Sequence, residues 1–248
     1  VAVSNYTRKH RVTGVAEYSY PLIGKLVDDA PWKNMKTSFG LFVEARSGQP
    51  YSWTFGGRND NGTTDNTGQT LSRIFGEDST LASRNRELFY VPLDSEVCET
   101  TYVAGCKVIL RTGASGPLTR AQFNDFLDRT GLSAYRGKIA PRNAFAGPRY
   151  ARWDVRFAQD LPNPMVGQRA RIVLDIENFG NLLNSSWGIF RQVPFPYYQP
   201  ALDVGVDRVN NNAYIYSNLR SPNPTNGPST TDVLLSVWRL SLGVMYDF

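Results

Sequence analysis

The stretch "VWRLSLGVMYDF", residues 237–248, alternates apolar and polar side chains along most of its length. The apolar side chains stand at every second position: Trp238, Leu240, Leu242, Val244, Tyr246 and Phe248. A period of two is typical of a β-strand, because successive side chains of a strand point to opposite faces. The terminal residues of soluble domains usually fray in water. The stretch therefore predicts an ordered strand whose apolar face continues to the last residue.

Four other segments show the same alternation, at residues 10–21, 34–48, 149–162 and 168–180. In "RYARWDVRFAQDLP", for example, Trp153, Val155 and Phe157 alternate with charged side chains. Within each segment the alternation extends over about 10 to 13 residues, longer than a usual soluble strand and close to the roughly 9 to 11 residues needed to cross a bilayer. The length favours membrane strands, although a half-solvated sheet in a soluble sandwich gives the same alternation.

The connections between the five segments alternate between short and long. About a dozen residues join the first two segments and the tight "NPMVGQ" joins the third and fourth, whereas roughly 100 and roughly 50 residues fill the other gaps. Outer-membrane barrels have short periplasmic turns and long extracellular loops. The pattern predicts an all-β fold, the C-terminal part of an antiparallel transmembrane β-barrel with about five long strands. Residues 1–248 would form one domain, with outer loops at 48–148 and 181–230 and the missing strands before Val1.

The composition bears on several other classes of protein. No run approaches the roughly 18 consecutive apolar residues of a membrane-spanning helix. The formal net charge is +5 with scattered lysines and arginines, so no nucleic-acid partner is expected. His10 is the only histidine, and no Gly-rich phosphate loop follows a strand. The sequence therefore predicts no enzyme activity, no cofactor and no metal centre.

The polar face of the predicted strands carries both signs of charge: Arg152, Asp154, Arg156, Arg171, Asp175 and Glu177. Neighbouring antiparallel strands could pair these charges across the wall of a water-filled lumen. Asp175 and Glu177 could also be interpreted as a catalytic carboxylate pair. Nothing near them in the sequence supplies a nucleophile or raises a carboxylate pKa, so ion pairs are the expectation.

Two cysteines, Cys98 and Cys106, lie in the segment "EVCETTYVAGCKV". Paired spacing in an Asn- and Gly-rich chain outside the cytoplasm favours a disulfide that closes a small loop. The flanks of the pair could fold back on each other as a hairpin.

The long insertions contain two further features. "GGRNDNGTTDNTGQ" offers Asp60 and Asp65 as hard ligands for calcium, or is a turn-rich surface loop. "LTRAQFNDFLDRTG" predicts a short helix, because Thr119 and Gln122 resemble a capping box and Gly131 is a suitable stop. The apolar side chains of this helix are expected to pack within the loop: Phe123, Phe126 and Leu127.

The segment "IFRQVPFPYYQP" contains three prolines and four aromatic residues. The aromatic residues are Phe190, Phe195, Tyr197 and Tyr198. Exposed aromatic side chains can stack on sugars or hold a peptide, so these four are candidate ligand contacts. Prolines and aromatic residues together also make stiff loops that pack on themselves. The sequence leaves both interpretations open.

Four stretches carry a resemblance to a known family: "GLFVEARSGQPYSWTFGGRNDN", "FLDRTGLSAYRGKIAPRNAFAGPRYARWDVRFAQDLP", "LDIENFGNLLNSSWGIFR" and "WRLSLGVMYDF". They cover about half of the chain, and together they resemble the C-terminal part of a TonB-dependent outer-membrane receptor of the Oar-like group. The resemblance implies a location in the Gram-negative outer membrane and energised uptake of an unknown ligand. Members of the family have a barrel of about 22 strands with an N-terminal plug. Neither the plug nor the TonB-contacting box is in this sequence, so the TonB complex would act through a region outside it.

The resemblance also implies a role for the last strand. In such receptors a terminal strand with alternate aromatic residues is the signal read by the barrel-assembly machinery. Carried over, the recognition side is formed by Leu242, Val244, Tyr246 and Phe248, with Trp238 and Leu240 completing the signal. The physical logic is strand addition, in which an unpaired edge is captured by another sheet edge. The expected partners are therefore outer-membrane lipid, the assembly machinery, the TonB complex and the ligand.

Two rival functions remain open from the sequence. One is an outer-membrane surface protein whose loops mediate adhesion or partner binding without energised transport. The other is a soluble extracellular β-sandwich that binds carbohydrate, which would bury the apolar faces of its strands against a second sheet.

Overall fold

The computed structural model describes residues 3–27, 31–56, 87–113, 116–162, 168–195, 197–207, 209–220 and 229–247. The chain divides into two compact units. Unit one comprises Val1–Thr7, Gln49–Gly147 and Val193–Thr230. Unit two comprises Arg8–Gly48, Pro148–Gln192 and Thr231–Phe248. The two segments that the sequence suggested as outer loops thus supply most of unit one.

The described strands, in chain order, are β1 (Arg11–Tyr20), β2 (Thr37–Arg46), β3 (Pro50–Gly56), β4 (Tyr90–Val91), β5 (Val97–Glu99), β6 (Val108–Leu110), β7 (Lys138–Ile139), β8 (Phe145–Ala146), β9 (Tyr150–Leu161), β10 (Arg169–Glu177), β11 (Arg191–Gln192), β12 (Tyr198–Asp207), β13 (Ala213–Ser217), β14 (Thr230–Thr231) and β15 (Arg239–Asp247). The described α-helices are α1 (Leu22–Val27), α2 (Arg120–Thr130), α3 (Phe179–Leu183) and α4 (Val233–Ser236). Two short 3-10 helices span Asp94–Glu96 and Leu132–Tyr135. No helix in the described ranges is both long and apolar enough to cross a membrane.

Unit two contains a five-stranded sheet in the order β1-β2-β9-β10-β15. All four neighbouring pairs are antiparallel. Each of the five segments with a period of two forms one of these strands. The strands keep one register across the sheet, so side chains that share a face in one strand align with the same face of the next. Strands β1 and β15 are the two edges of the sheet.

Unit one contains a six-stranded mixed sheet in the order β5-β6-β13-β12-β3-β8. Its pairs β5-β6, β6-β13 and β12-β3 are parallel, whereas β12-β13 and β3-β8 are antiparallel. A smaller sheet pairs β4 with β7. A fourth sheet consists of β11 and β14. Three pairs of the six-stranded sheet, β6-β13, β12-β3 and β3-β8, therefore join segments that are far apart in the sequence.

The core of unit one is built largely from aromatic side chains. Every residue of β3 is buried, on both faces of the strand. Trp53 is only 1% exposed, and its ring contacts those of Phe126 and Tyr51 edge-on, with centroids 5.5 and 5.8 Å apart. Edge-on contacts of this kind add to the stabilisation from burial. Aromatic and hydroxyl side chains alternate along β3, but both faces of the strand are covered, so this alternation does not mark a solvent-exposed face.

Helix α2 forms where the sequence predicts it and is capped as expected. The backbone N–H of Gln122 donates to the hydroxyl of Thr119, and the Thr119 backbone N–H donates to the Gln122 side chain at 3.0 Å. Gly131 ends the helix with φ of 74°, a left-handed conformation that favours glycine. Phe123, Phe126 and Leu127 are fully buried in the core, so the prediction that this face packs within the segment is confirmed.

The predicted fold class is wrong. The chain is not a single antiparallel segment of a transmembrane β-barrel: it is a mixed β-rich protein with four separate sheets, several parallel strand pairs and no closed barrel among the described residues. The five long alternating segments do form one antiparallel sheet, which belongs to unit two. The reason for the error is physical, because strands β4 to β8 have only two or three residues each, too few for a periodic pattern, and parallel pairs between distant segments leave no local pattern.

Cys98 and Cys106 form a disulfide, with their Cα atoms 5.9 Å apart. The expected hairpin around this pair is wrong, because the flanking strands β5 and β6 run parallel, with Cys98 aligned to Ile109. The connection therefore reverses direction within the disulfide loop before β6 begins. The backbone carbonyl of Glu96 accepts a hydrogen bond from the backbone N–H of Lys107 at 2.9 Å, which helps to hold the connection between β5 and β6.

Replacing both Cys98 and Cys106 with serine is expected to lower the free energy of unfolding of unit one by about 2.5 kcal/mol, since the disulfide closes a loop of about nine residues. Urea denaturation with and without reductant measures this loss. Reductant should weaken the wild-type protein and leave the double variant unchanged. Equal stability of the two proteins under oxidising conditions would contradict a stabilising role for the disulfide.

Candidate functional site

The five-stranded sheet of unit two has one mainly apolar face. The register aligns one row across all five strands: Tyr18, Phe39, Phe157, Leu174 and Leu242. A second row lies beside it: Ala16, Leu41, Val155, Ile176 and Leu240. Val12 and Val244 extend the face toward the two ends of the sheet.

This apolar face is exposed. Leu242 is 70% exposed and Val244 72%, and every described residue of β15 is exposed. Trp153 and Tyr246 are also exposed, while Phe157 is half-buried beside the ring of Phe39 at 5.2 Å. Within the described chain no second layer covers the edge strands. Contiguous apolar surface of this extent is rare on soluble monomers and marks contact with lipid or with another protein.

The length of the face suits a bilayer. Nine residues of a strand at about 3.3 Å per residue span about 30 Å, and a tilted strand of this length matches the hydrocarbon layer. Near the short connections, Thr37 and Gln159 interrupt the apolar face, but both are buried and Thr37 donates its hydroxyl proton to Gln159 at 2.5 Å. The Thr37 hydroxyl and the Gln159 side-chain oxygen are therefore hydrogen-bonded to each other although they are buried.

The opposite face carries ion pairs. Arg156 holds Asp175 through two hydrogen bonds of 2.6 and 3.0 Å between directly aligned residues of β9 and β10. Arg171 pairs with Asp160 at 2.7 Å in the same two strands. Because Asp175 is bound to an arginine, it lacks the arrangement of a catalytic carboxylate pair. Such exposed pairs contribute about 0.2–1 kcal/mol each and are compatible with water on this face.

The residues of the predicted assembly signal lie on and beside β15. Leu240, Leu242, Val244 and Tyr246 share its apolar face, and Trp238 precedes the strand and is 41% exposed. Phe248 lies outside the described residues. One edge of β15 pairs with β10, and its other edge has no strand partner in the described part of the chain. An exposed edge of this kind is the structural requirement for strand addition.

The four aromatic residues of the candidate ligand loop do not form one cluster. Phe190 belongs to unit two and is only 8% exposed, with its ring 5.2 Å from that of Tyr150. Phe195 belongs to unit one, is 77% exposed, and contacts the ring of Tyr197 edge-on at 5.6 Å. Tyr198 lies in β12, where its hydroxyl accepts a hydrogen bond from Arg142 at 3.4 Å.

The exposed aromatic residues of unit one include one that the sequence did not suggest. Tyr6 is 76% exposed, and its ring contacts that of Tyr197 edge-on at 6.5 Å. Tyr6, Phe195 and Tyr197 therefore form an aromatic patch on unit one. Tyr6 is far from the other two in the sequence, so no local pattern could have added it.

A buried carboxylate lies beside the disulfide loop of unit one. Glu96 accepts hydrogen bonds from the Tyr90 hydroxyl at 2.6 Å, from the Leu93 backbone N–H at 3.0 Å and from the ammonium group of Lys107. Burial alone would raise the pKa of Glu96, but these hydrogen bonds together lower it below its usual 4.5. Burial and the Glu96 carboxylate raise the pKa of Tyr90 to about 12. The cluster ties Tyr90 of β4 to the start of β5.

The lowered pKa of Glu96 predicts a pH dependence of stability. The ionised carboxylate stabilises unit one fully above its unfolded pKa, near 4.5, and this contribution is lost as the pH falls through the lower folded pKa. Glu96→Gln should therefore melt at a lower temperature than the wild type at neutral pH, and the difference should shrink on acidification. Thermal melts across the pH range measure it, with Asp94→Asn as the control.

The structure offers no metal centre in its described ranges, where no three His, Cys, Asp or Glu side chains cluster. Asp60 and Asp65, the candidate calcium ligands, lie outside the described residues. Comparison with known proteins gave no match: no protein-family model, no curated protein and no solved structure is significantly similar to the chain.

Proposed function

We propose that the chain is part of a TonB-dependent outer-membrane receptor of the Oar-like group, which takes up a ligand across the Gram-negative outer membrane. The observation that carries the proposal is the exposed apolar face of the sheet of unit two, which continues in register across all five strands. In this function the apolar face contacts the hydrocarbon of the outer membrane, and the ion-paired face contacts water.

Two further observations support the proposal. The strands of the sheet have 9 to 12 residues, which suits a tilted path across the bilayer. The sandwich alternative requires a second sheet packed against the apolar face, whereas Leu242 and Val244 remain more than two-thirds exposed. The exposure therefore favours lipid over a buried sandwich interface.

The proposal gives β15 and unit one separate roles. Strand β15 is the assembly signal, since it combines an unpaired edge with a fully apolar face. Unit one is the ligand-binding part, and its aromatic patch of Tyr6, Phe195 and Tyr197 is the proposed contact surface. Aromatic side chains exposed in this way suit stacking on a sugar or gripping a peptide.

A second candidate function is adhesion or partner binding at the outer-membrane surface without energised transport. The observation that favours it is the separate core of unit one, because a module with its own core can present a binding surface without any moving part. This candidate shares the membrane contact of unit two and differs only in its independence from the TonB complex.

Refolding the chain with and without phosphatidylcholine vesicles tests the membrane contact. Lipid should protect the five strands of unit two from proteolysis and blue-shift the tryptophan emission, whereas the chain without lipid should aggregate. A monomeric chain that stays soluble without lipid would exclude the membrane function and favour the sandwich.

The role of TonB requires the gene product in the producing cell. Photo-crosslinking between TonB and the protein that carries this chain should give an adduct for a receptor and none for an adhesin. A protein that reaches the outer membrane and gives no adduct would leave the adhesion function as the correct one.

A further inference from the structure

Unit two contains a cavity of about 430 Å³ at the end of the sheet opposite the β9–β10 connection. Its walls come from the start of β9, from the residues that follow β10, and from the segment between α3 and β11. The residues that line it include Arg149, Trp153, Asn178, Gly180, Trp187 and Arg191. No local sequence pattern indicates this cavity, because its residues come from three separate segments.

One wall of the cavity belongs to the apolar face of the sheet. Trp153 aligns with Val43 of β2 and lies on the same face as Val155 and Phe157. The ring of Trp187 contacts that of Trp153, with centroids 6.0 Å apart. Trp153 is 42% exposed and Trp187 is 48% exposed. Gly180 leaves room beside both rings, since a Cβ there would be 3.9 Å from the nearest ring atom of each. Indole rings at the end of an apolar band are typical of a membrane–water boundary.

The charge of the cavity is positive. Arg149 and Arg191 both line it, no carboxylate does, and neither arginine has an ion pair with an Asp or Glu in the described ranges. The Arg191 Nε is buried without a hydrogen-bond acceptor among the described residues. The suitability for an anionic oxygen comes instead from the two arginines that line the cavity without a carboxylate beside them.

Asn178 positions the two flanking segments. It has a left-handed φ of 52°, and its side-chain amide donates to the carbonyls of Gly188 at 3.0 Å and Ser236 at 2.8 Å. Its own backbone N–H donates to Asp154 at 2.8 Å. Gly188 must remain glycine, because it has φ of 62° and a Cβ would collide with Asn178. The segment that carries Trp187 and Arg191 is thereby held against β9.

We infer that this cavity binds the phosphate group of an anionic lipid, with Arg149 and Arg191 on the phosphate oxygens and the two indoles on the first part of the acyl chains. The combination distinguishes a lipid from a free anion: two unpaired guanidinium groups recognise phosphate, and Trp153 connects the cavity to the apolar face. The inference rests on the proposed function, which places that face in hydrocarbon. It goes beyond it by assigning a specific lipid site.

Isothermal titration of the full chain in neutral detergent tests the site with three soluble probes: dihexanoyl phosphatidic acid, dihexanoyl phosphatidylcholine and inorganic phosphate. We expect saturable binding of the phosphatidic acid, at least tenfold weaker binding of the phosphatidylcholine, and weak binding of inorganic phosphate. Equal affinity for phosphatidic acid and inorganic phosphate would overturn the lipid assignment in favour of a free anion. No binding of any probe would overturn the site.

Three variants test whether Arg149 and Arg191 bind the phosphate. Arg149→Gln and Arg191→Gln should each weaken phosphatidic acid binding about tenfold, because each removes a charge-assisted hydrogen bond. Arg169→Gln is the matched control, since it removes the same charge from β10 near the other end of the sheet and should leave the affinity unchanged. Arg149 is exposed and has no ion pair in the described chain, so its loss leaves folding intact. Equal effects of all three variants would reduce the binding to non-specific attraction.

These titrations and the vesicle refolding experiment together separate the two proposals. Phosphatidic acid binding without insertion into phosphatidylcholine vesicles would support the cavity and contradict the membrane function. Insertion into vesicles with no preference for the anionic probe would support the membrane function and contradict the cavity.

Discussion

Leu242→Arg is expected to weaken insertion of the chain into lipid vesicles by about 2–4 kcal/mol, the cost of an arginine near the midplane of a bilayer. Leu242 is the fourth of nine residues in β15, is 70% exposed and aligns with Leu174 of β10. The loss follows from desolvation, because the guanidinium would replace an aliphatic side chain in hydrocarbon. Guanidinium chloride titration of vesicle-bound protein, followed by tryptophan fluorescence, measures the change.

The neighbouring residue supplies a matched control. Ser241 lies on the opposite face of the same strand and aligns with Asp175. Ser241→Arg adds the same side chain to the ion-paired face, where a change below about 1 kcal/mol is expected. Similar losses for the two variants would mean that lipid does not distinguish the two faces, and the proposed function would fail with that result.

Phe126→Ala is expected to lower the free energy of unfolding of unit one by about 3–5 kcal/mol, since removal of a buried aromatic side chain leaves a cavity. Phe126 is fully buried in α2, and its ring contacts Trp53 edge-on at 5.5 Å. Urea denaturation followed by near-ultraviolet circular dichroism measures the effect. The loss should be confined to unit one and leave the membrane insertion of unit two unchanged.

Phe195→Ala controls for the type of substitution. Phe195 is 77% exposed and has a ring contact with Tyr197, so its removal should cost less than about 1 kcal/mol. If Phe126→Ala were as mild as this control, the buried core of unit one would be incorrect. The same Phe195 variant should weaken ligand binding if the aromatic patch is the contact surface.

The strands of unit two were predictable because the alternation within each strand shows which of its side chains share a face. In β15 the period of two identifies Leu240, Leu242 and Val244 as one side, and the neighbouring strands repeat the pattern. Aligning the five apolar faces is then enough to establish the antiparallel register. Helix α2 was predictable for a similar local reason, since its cap and its apolar stripe lie within one short segment.

Unit one was not predictable, because its structure depends on pairs of distant residues. Strand β12 lies parallel to β3, with Tyr198 aligned to Ser52, and no local pattern records such a pairing. The same limit explains the candidate ligand loop, where Phe190 and Phe195 are close in sequence but belong to different units. The same limit applies to the cavity of unit two, since Arg149 and Arg191 line it from separate segments of the sequence.

The two outer strands of the sheet, β1 and β15, have a practical consequence for anyone who handles this chain in water. They are 10 and 9 residues long, and each has one edge without a strand partner in the described structure. A chain with two unpaired sheet edges can pair with another copy at each edge, so copies can join side by side into extended sheets. A synthetic peptide that copies β15 should terminate this growth by occupying one border, which makes it a natural additive for refolding.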